Sequence, residues 1–191
     1  NAGDGYSVYR IPGFTVAGDG SLLLFAEGRP SGADPGASGD IDMVYKRSTD
    51  NGATWSTLST LHHTVGFDYS DPRVVVDAGS GKVHLQYVQW PTLVGQASGS
   101  LATGWGNDSA KIYYQTSDDH GASWSGPSDI TPQVKDINWA AINTGPGKGI
   151  QLQWQTAAQG EHNGRLVMPA HKRPEAYRGV ALYSDNNGAT W

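Results

Sequence analysis

The sequence predicts an all-β protein built from repeated units of about four antiparallel strands, the architecture of propeller blades. Three observations predict it. An eight-residue box of pattern Ser-x-Asp-x-Gly-x-x-Trp occupies residues 48–55 and 117–124, and recurs at 184–191 with Asn186 in the Asp position. The copies start 69 and 67 residues apart, and a near-fixed period marks a repeat architecture. The chain holds 26 Gly and 10 Pro among 191 residues, a composition that multiplies turns, and its aromatic residues suit strands. Between the boxes lie short apolar runs bounded by turn signals, with no convincing amphipathic helical period.

Each box reads as a hairpin turn. Asp or Asn accepts hydrogen bonds from nearby backbone N–H groups, Gly permits a positive φ, and Trp anchors the turn to the core beneath it. The boxes are therefore structural and carry no chemistry. In the first group the strands fall at 8–16, interrupted at Pro12, then 21–27, 41–47 and 56–61. Asp19-Gly20 is a turn between the first two, and residues 29–40, with Pro30, Gly32, Pro35, Gly36 and Gly39, form a loop. The second group reads 72–77, 82–90, 110–116 and 128–131, with a long polar loop at 91–109, a length more often functional than idle. Residues 132–146 read as a further loop with Trp139 in its middle, and the third group as 149–155, 165–170 and 179–183. Each box thus follows a third strand and precedes a fourth, which the last group lacks. The blades span roughly 8–61, 67–131 and 147–191. Propellers close with roughly four to eight blades. The chain is expected to be part of a larger ring, with an open arrangement of three imperfect repeats as the alternative.

Composition excludes several function classes. The net charge of −5, with no basic block, argues against a nucleic-acid partner. No Cys is present, so disulfides are impossible. No apolar run approaches the ~20 residues of a membrane span. The chain begins abruptly at Asn1 without a signal peptide, as a mature or trimmed N-terminus would. There is no phosphate-binding Gly loop, zinc-ligand spacing or Gly-x-Ser-x-Gly elbow, and neither metal nor cofactor is expected. His62 and His63, adjacent on a strand, point to opposite faces, make a poor chelating pair and are expected at the surface.

Four residues stand out as candidates for chemistry. Arg10 precedes Ile11-Pro12 in an otherwise apolar strand start, where its stem could also cap the core. Arg29 ends a buried-looking strand. Two Arg at neighbouring strand ends can converge on an anion, and guanidinium suits bidentate carboxylate recognition. Asp34 lies in the Gly/Pro loop, solvated unless it hangs over a pocket and delivers a proton. Asp71, in Tyr69-Ser70-Asp71-Pro72, sits just before the first strand of the second group, where a turn-forming role is also open.

Tyr9-Arg10-Ile11-Pro12, the strand end Phe25-Ala26-Glu27-Gly28-Arg29, Asp34 five residues later and the boxes together resemble a sialidase (neuraminidase) of the bacterial and animal type. The resemblance covers essentially all 191 residues, with 145–152 and 166–170 similar to third-blade strands. It implies a six-bladed propeller, of which this chain holds roughly the first three blades, that removes terminal sialic acids from glycans with retention, outside the cell, at its surface or in the periplasm. It implies that Arg10 binds the sialic acid carboxylate, Arg29 and Asp71 line the pocket near the C4 substituent, Asp34 is the acid/base and His171 lies at the pocket edge. The Glu base, two further Arg and the Tyr nucleophile of the family would lie after the third box. No Tyr here stands in the matching context, so the chain alone is expected to be inactive. The partners implied are sialylated glycans and the remaining blades. A non-catalytic carbohydrate-binding propeller and a glycosidase acting on neutral glycans are the rival readings.

Overall fold

The computed structural model describes residues 4–37, 39–92, 94, 101–173 and 178–191. The first sheet is an antiparallel meander of β1 (Val8–Val16), β2 (Leu22–Arg29), β3 (Asp42–Ser48) and β4 (Ser59–His62). The second runs β5 (Phe67–Val76), β6 (Val83–Pro91), β7 (Lys111–Ser117) and β8 (Ser128–Asp129), followed by a single helical turn, α1 (Thr131–Val134). In the third, β9 (Ala141–Asn143), β10 (Gly147–Lys148) and β11 (Ile150–Gln151) precede β12 (Leu166–Arg173) and β13 (Arg178–Ser184). β9 and β11 both pair antiparallel with β12, whereas β10 pairs in parallel with β5 of the second sheet. The stretch expected as a loop at 132–146 therefore contains α1 and β9. Its polar, Gly-rich composition hid a strand that is only three residues long.

Strand parity builds the core. Along β6, Val83, Leu85 and Tyr87 pack with Leu23, Phe25 and Met43 of the first sheet, while Val88 and Trp90 pack with Ile142, Leu166 and Met168 of the third. A central strand buried on both faces favours apolar or satisfied residues, and all nine residues of β6 are buried; Gln86 is an exception, its side-chain amide having no hydrogen-bond partner among the described residues.

The innermost strand of each sheet breaks at the same feature. Ile11, Asp71 and Gly145 have φ of 55°, 57° and 59°, and each precedes a proline. Register shifts follow at Arg10/Gly13 and Ser70/Arg73. Proline lacks the N–H that a ladder requires, so it falls where an extra residue loops out of the pairing. These bulges abut one another. A Cβ on Gly13 would lie 2.8 Å from Pro72 O. Arg73 donates from Nε and Nη2 to Gly145 O at 2.9 and 2.7 Å, and Thr144 Oγ1 donates to Asp71 O at 2.9 Å. Asp71 thus lies within β5 rather than before it, at the bulge.

The boxes form as their residue types require. In the first, Gly52 N donates to Ser48 Oγ at 2.9 Å, and Thr54 N and Oγ1 donate to the two oxygens of Asp50 at 2.9 and 2.6 Å. The second repeats this with Ser117, Asp119, Gly121 and Ser123. In the third, Asn186 Nδ2 donates to Thr190 Oγ1 at 2.9 Å, reversing that bond. The Trp does not anchor its own sheet. Trp124 packs on Phe25 and Tyr45 of the sheet before it, at 5.4 and 5.8 Å between ring centroids, and Trp191 packs on Tyr114 of the second sheet at 5.9 Å. Trp55, in the first box, is 36% exposed. His62 is likewise not a surface residue: its ring stacks on Tyr69 at 3.8 Å and Nδ1 lies 2.9 Å from Tyr87 Oη. His63 is exposed, as expected.

Candidate active site

The register places the candidate residues at the end of the sheets opposite the boxes. Ser48, where the first box begins, pairs with Leu22, while Arg29 pairs with Val8 and Gly28 with Asp42 at the far end. The inward face of β2 reads Leu23, Phe25, Glu27, Arg29. Its last two members place opposite charges two residues apart on a buried face, and a buried charge requires a partner. They supply each other. Arg29 donates from Nε to Glu27 Oε2 at 2.7 Å and from Nη2 to the same oxygen. Both side chains are 1% exposed.

The remaining nitrogen of Arg29 reaches the loop. Nη1 donates to Ala33 O at 2.7 Å and to Asp34 Oδ1 at 2.9 Å. Arg10 donates from Nη1 to that same Asp34 oxygen at 2.9 Å and lies 3.4 Å from Gly32 O. The two Arg therefore converge on an anion, and in this structure the anion is the protein's own Asp34. Arg10 is 43% exposed and Asp34 64% exposed, whereas Arg29 is sealed. The Nε–Nη2 edge of Arg10 makes no hydrogen bond among the described residues.

The loop that carries Asp34 is tethered from the neighbouring sheet. Asp68 is fully buried and accepts from Gly36 N at 2.6 Å and Ile41 N at 2.9 Å. Asp71 is also buried. Its N–H donates to Glu27 Oε1 at 3.0 Å, and Ser70 Oγ donates to Asp71 Oδ2 at 3.0 Å. One carboxylate, Glu27, thus holds Arg29 with one oxygen and the Asp71 bulge with the other. His171 on β12 lies opposite Asn143 in register and acts electrostatically on Asp71.

The carboxyl groups are driven in opposite directions. Arg29, through its hydrogen bond, and Arg10, through its charge, hold Asp34 below the ordinary carboxylate range. Burial pushes Glu27 up to about 7, with Arg29 opposing it. Burial likewise raises Asp71 and Asp68. Paired titratable groups with diverging pKa values are what acid/base chemistry requires, although structural ion pairs also produce them. Among the described residues no group of three or more His, Cys, Asp or Glu is arranged to hold a metal ion.

Residues 20–191 match the family described as BNR repeat-like domain. The chain belongs to this family. It is 35% identical over 207 residues to a sialidase of Micromonospora viridifaciens, covering 100% of this chain and 29% of that protein. It is 30% identical over 197 residues to a sialidase of Clostridium perfringens, covering 96% of this chain and 48% of that one. Among solved structures, Hadza microbial sialidase Hz136 aligns with a TM-score of 0.84 at 27% identity, over 98% of this chain and 37% of that one. The fold is accordingly part of a β-propeller, and the chain spans less than half the length of these relatives. The family match contains Arg29, Asp34 and Asp71, while Arg10 lies before it.

Glu27, Asp68 and the Thr144 contact to Asp71 were not singled out from sequence. Glu27 carried a legible signal in its strand parity. Asp68 and Thr144 carried none, because their partners lie 27 and 73 residues away in the chain.

Proposed function

We propose that this chain is part of a retaining exo-sialidase, and that its residues supply the acid/base and part of the pocket for terminal sialic acids of glycoconjugates. The observation that carries the reading is the convergence of Arg10 and Arg29 on Asp34, in a chain whose matched relatives bear the name sialidase. Arg10, half exposed and with one edge open, receives the substrate carboxylate. That carboxylate competes with Asp34 for Arg10. Asp34 loses a cation and is covered by the sugar, and both changes raise its pKa towards the value a general acid needs. Asp34 then gives its proton to the glycosidic oxygen as the C–O bond breaks, and the aglycone leaves as an alcohol. In the second step Asp34 takes a proton from the water that releases the sugar. Arg29 and Asp71 line the same pocket.

The anomeric carbon of sialic acid already bears a carboxylate, which repels an anionic nucleophile. A neutral Tyr activated by a Glu avoids that repulsion, and sialidases are exceptions to the two-carboxylate pattern of glycoside hydrolysis. In this reading those two residues and two further Arg come from the rest of a six-bladed ring, so the 191-residue chain alone is inactive, and the whole protein acts outside the cell, at its surface or in the periplasm. No helix of the described residues is long and apolar enough to cross a membrane. The test is hydrolysis of sialyllactose and of a neutral β-galactoside by the full-length protein and by this chain. The reading expects turnover of sialyllactose by the full-length protein only. Turnover of the galactoside alone favours the neutral-glycan alternative, and tight binding of sialic acid without turnover favours a carbohydrate-binding propeller.

A further inference from the structure

Arg29 lies at the centre of a chain of alternating charges, Glu27–Arg29–Asp34–Arg10, but its two anions are not equivalent. Glu27 is sealed on the inward face of β2 and occupies the Nε and Nη2 of Arg29. Asp34 is exposed, sits on a loop and shares its Oδ1 between Arg29 and Arg10. An acid/base must spend part of each cycle neutral. When Asp34 takes a proton, Arg29 loses that counter-ion, and a guanidinium that is 1% exposed cannot turn to water for compensation. The other oxygen of Glu27 is bonded to the Asp71 N–H across the seam between the first two sheets, which fixes the carboxylate in place.

We propose that Glu27 is a positioning residue of this site: when ionised it balances the charge of Arg29 independently of Asp34, so that Asp34 can be protonated without leaving a bare buried cation. This rests on the acid/base reading of Asp34 given above. The charged groups facing Glu27 are Arg29 on its own strand and Asp71 on β5. Its register partner on β1, Arg10, turns to Asp34, and its partner on β3, Met43, is neutral. In Glu27→Gln the shape is kept and the charge lost. Arg29 then depends on Asp34 alone, Asp34 holds its charge more strongly, and proton delivery weakens.

The test compares the full-length wild type with Glu27→Gln on two sialosides, one with a poor leaving group (sialyllactose) and one with an activated aryl leaving group that needs little protonation. At pH 8 the variant should lose about tenfold in kcat on sialyllactose and less than about twofold on the aryl sialoside, with KM nearly unchanged. Because Glu27 titrates at about 7, its charge is present above that pH and lost below it. At pH 5.5 wild-type Glu27 is itself protonated and resembles Gln, so the two proteins should converge. Glu27→Asp, which keeps the charge, should retain the wild-type leaving-group ratio to within about threefold. Equal losses on both substrates at both pH values, or a Glu27→Asp variant as impaired as Glu27→Gln, overturn the counter-ion role and leave the sialidase reading standing. Absence of turnover by the wild type on either substrate overturns the acid/base reading and this inference with it.

Discussion

The two ends of these blades handle the same residue type in opposite ways. At the box end, Asp50 and Asp119 are solvent-facing, and their hydrogen-bond partners lie within four residues in sequence. Bonds from Thr54 and Ser123 to those carboxylates, with further bonds from Ser48 and Ser117, hold both pKa values down at about 2. At the site end, Glu27, Asp68 and Asp71 are buried, and several of their partners come from other strands and sheets. Their carboxyl groups are pushed upward by burial, while exposed Asp34 among them is pulled down by two guanidinium groups. Carboxylates satisfied locally make an autonomous turn. Carboxylates satisfied across a seam tie their protonation to the arrangement of the blades, which a catalytic site can use.

The largest break in this contrast should come from Arg29→Met. It leaves Glu27 buried without its cation, and removing one partner of a buried pair costs about 3–5 kcal/mol. Urea denaturation reads the loss, and a change below about 1 kcal/mol would mean that the site end is held no differently from the box end. Trp124→Ala should cost about 3–5 kcal/mol, since the ring fills the seam against Phe25 and Tyr45. Trp55→Ala in the same chain, at the same box position but with the ring exposed, should cost less than about 1 kcal/mol. The pair sharpens the comparison by showing that a box stabilises the sheet before it.

A smaller effect separates two glycines. Gly52 and Gly188 share the left-handed conformation, with φ of 88° and 79°, so alanine strains both backbones alike. At Gly188 the added Cβ would overlap Tyr114 Oη and lie 2.7 Å from His84 Nδ1, whereas at Gly52 the nearest atom is Leu22 Cδ1 at 3.5 Å. Gly188→Ala should therefore be less stable than Gly52→Ala by about 1–3 kcal/mol in the same denaturation experiment. Smallest is the response to acid. The folded pKa values of Asp50 and Asp119 lie below the ordinary value of 3.8, so their contribution is present above that value and lost as pH falls through about 2. Asn186 does not titrate. Amide exchange at Thr54 and Ser123, whose N–H groups donate to Asp50 and Asp119, should accelerate between pH 4 and pH 2 relative to Thr190, whose N–H donates to Asn186, once corrected for intrinsic rates. Equal behaviour of the three would show that the Asp bonds do not hold the turns.

This asymmetry also explains what the sequence disclosed. The boxes were legible as turns held by Asp and permitted by Gly, because Asp50 and Gly52 act within a single turn, whereas the bonds of Ser48 were not foreseen. Their Trp was legible as an anchor, but the sheet that it covers was not, since Phe25 precedes Trp124 by almost a hundred residues. Arg10, Arg29, Asp34 and Asp71 were legible as a set through strand ends and family resemblance, and the structure brings Arg10, Arg29 and Asp34 together directly. Asp71 joins them only through Glu27. The three inner-strand breaks at Ile11-Pro12, Asp71-Pro72 and Gly145-Pro146 form a second repeat, hidden because proline alone is too weak a motif to mark it.

In the proposed function Asp34 is the group that two Arg hold and a substrate releases. The most direct measurement is the rate of sialoside hydrolysis by full-length wild type and Asp34→Ala across leaving groups of falling pKa. The expected result is a loss of at least about a hundredfold on sialyllactose, shrinking steadily towards about tenfold or less on the best aryl leaving group. A loss that is the same for every leaving group, or no loss on sialyllactose, would contradict it.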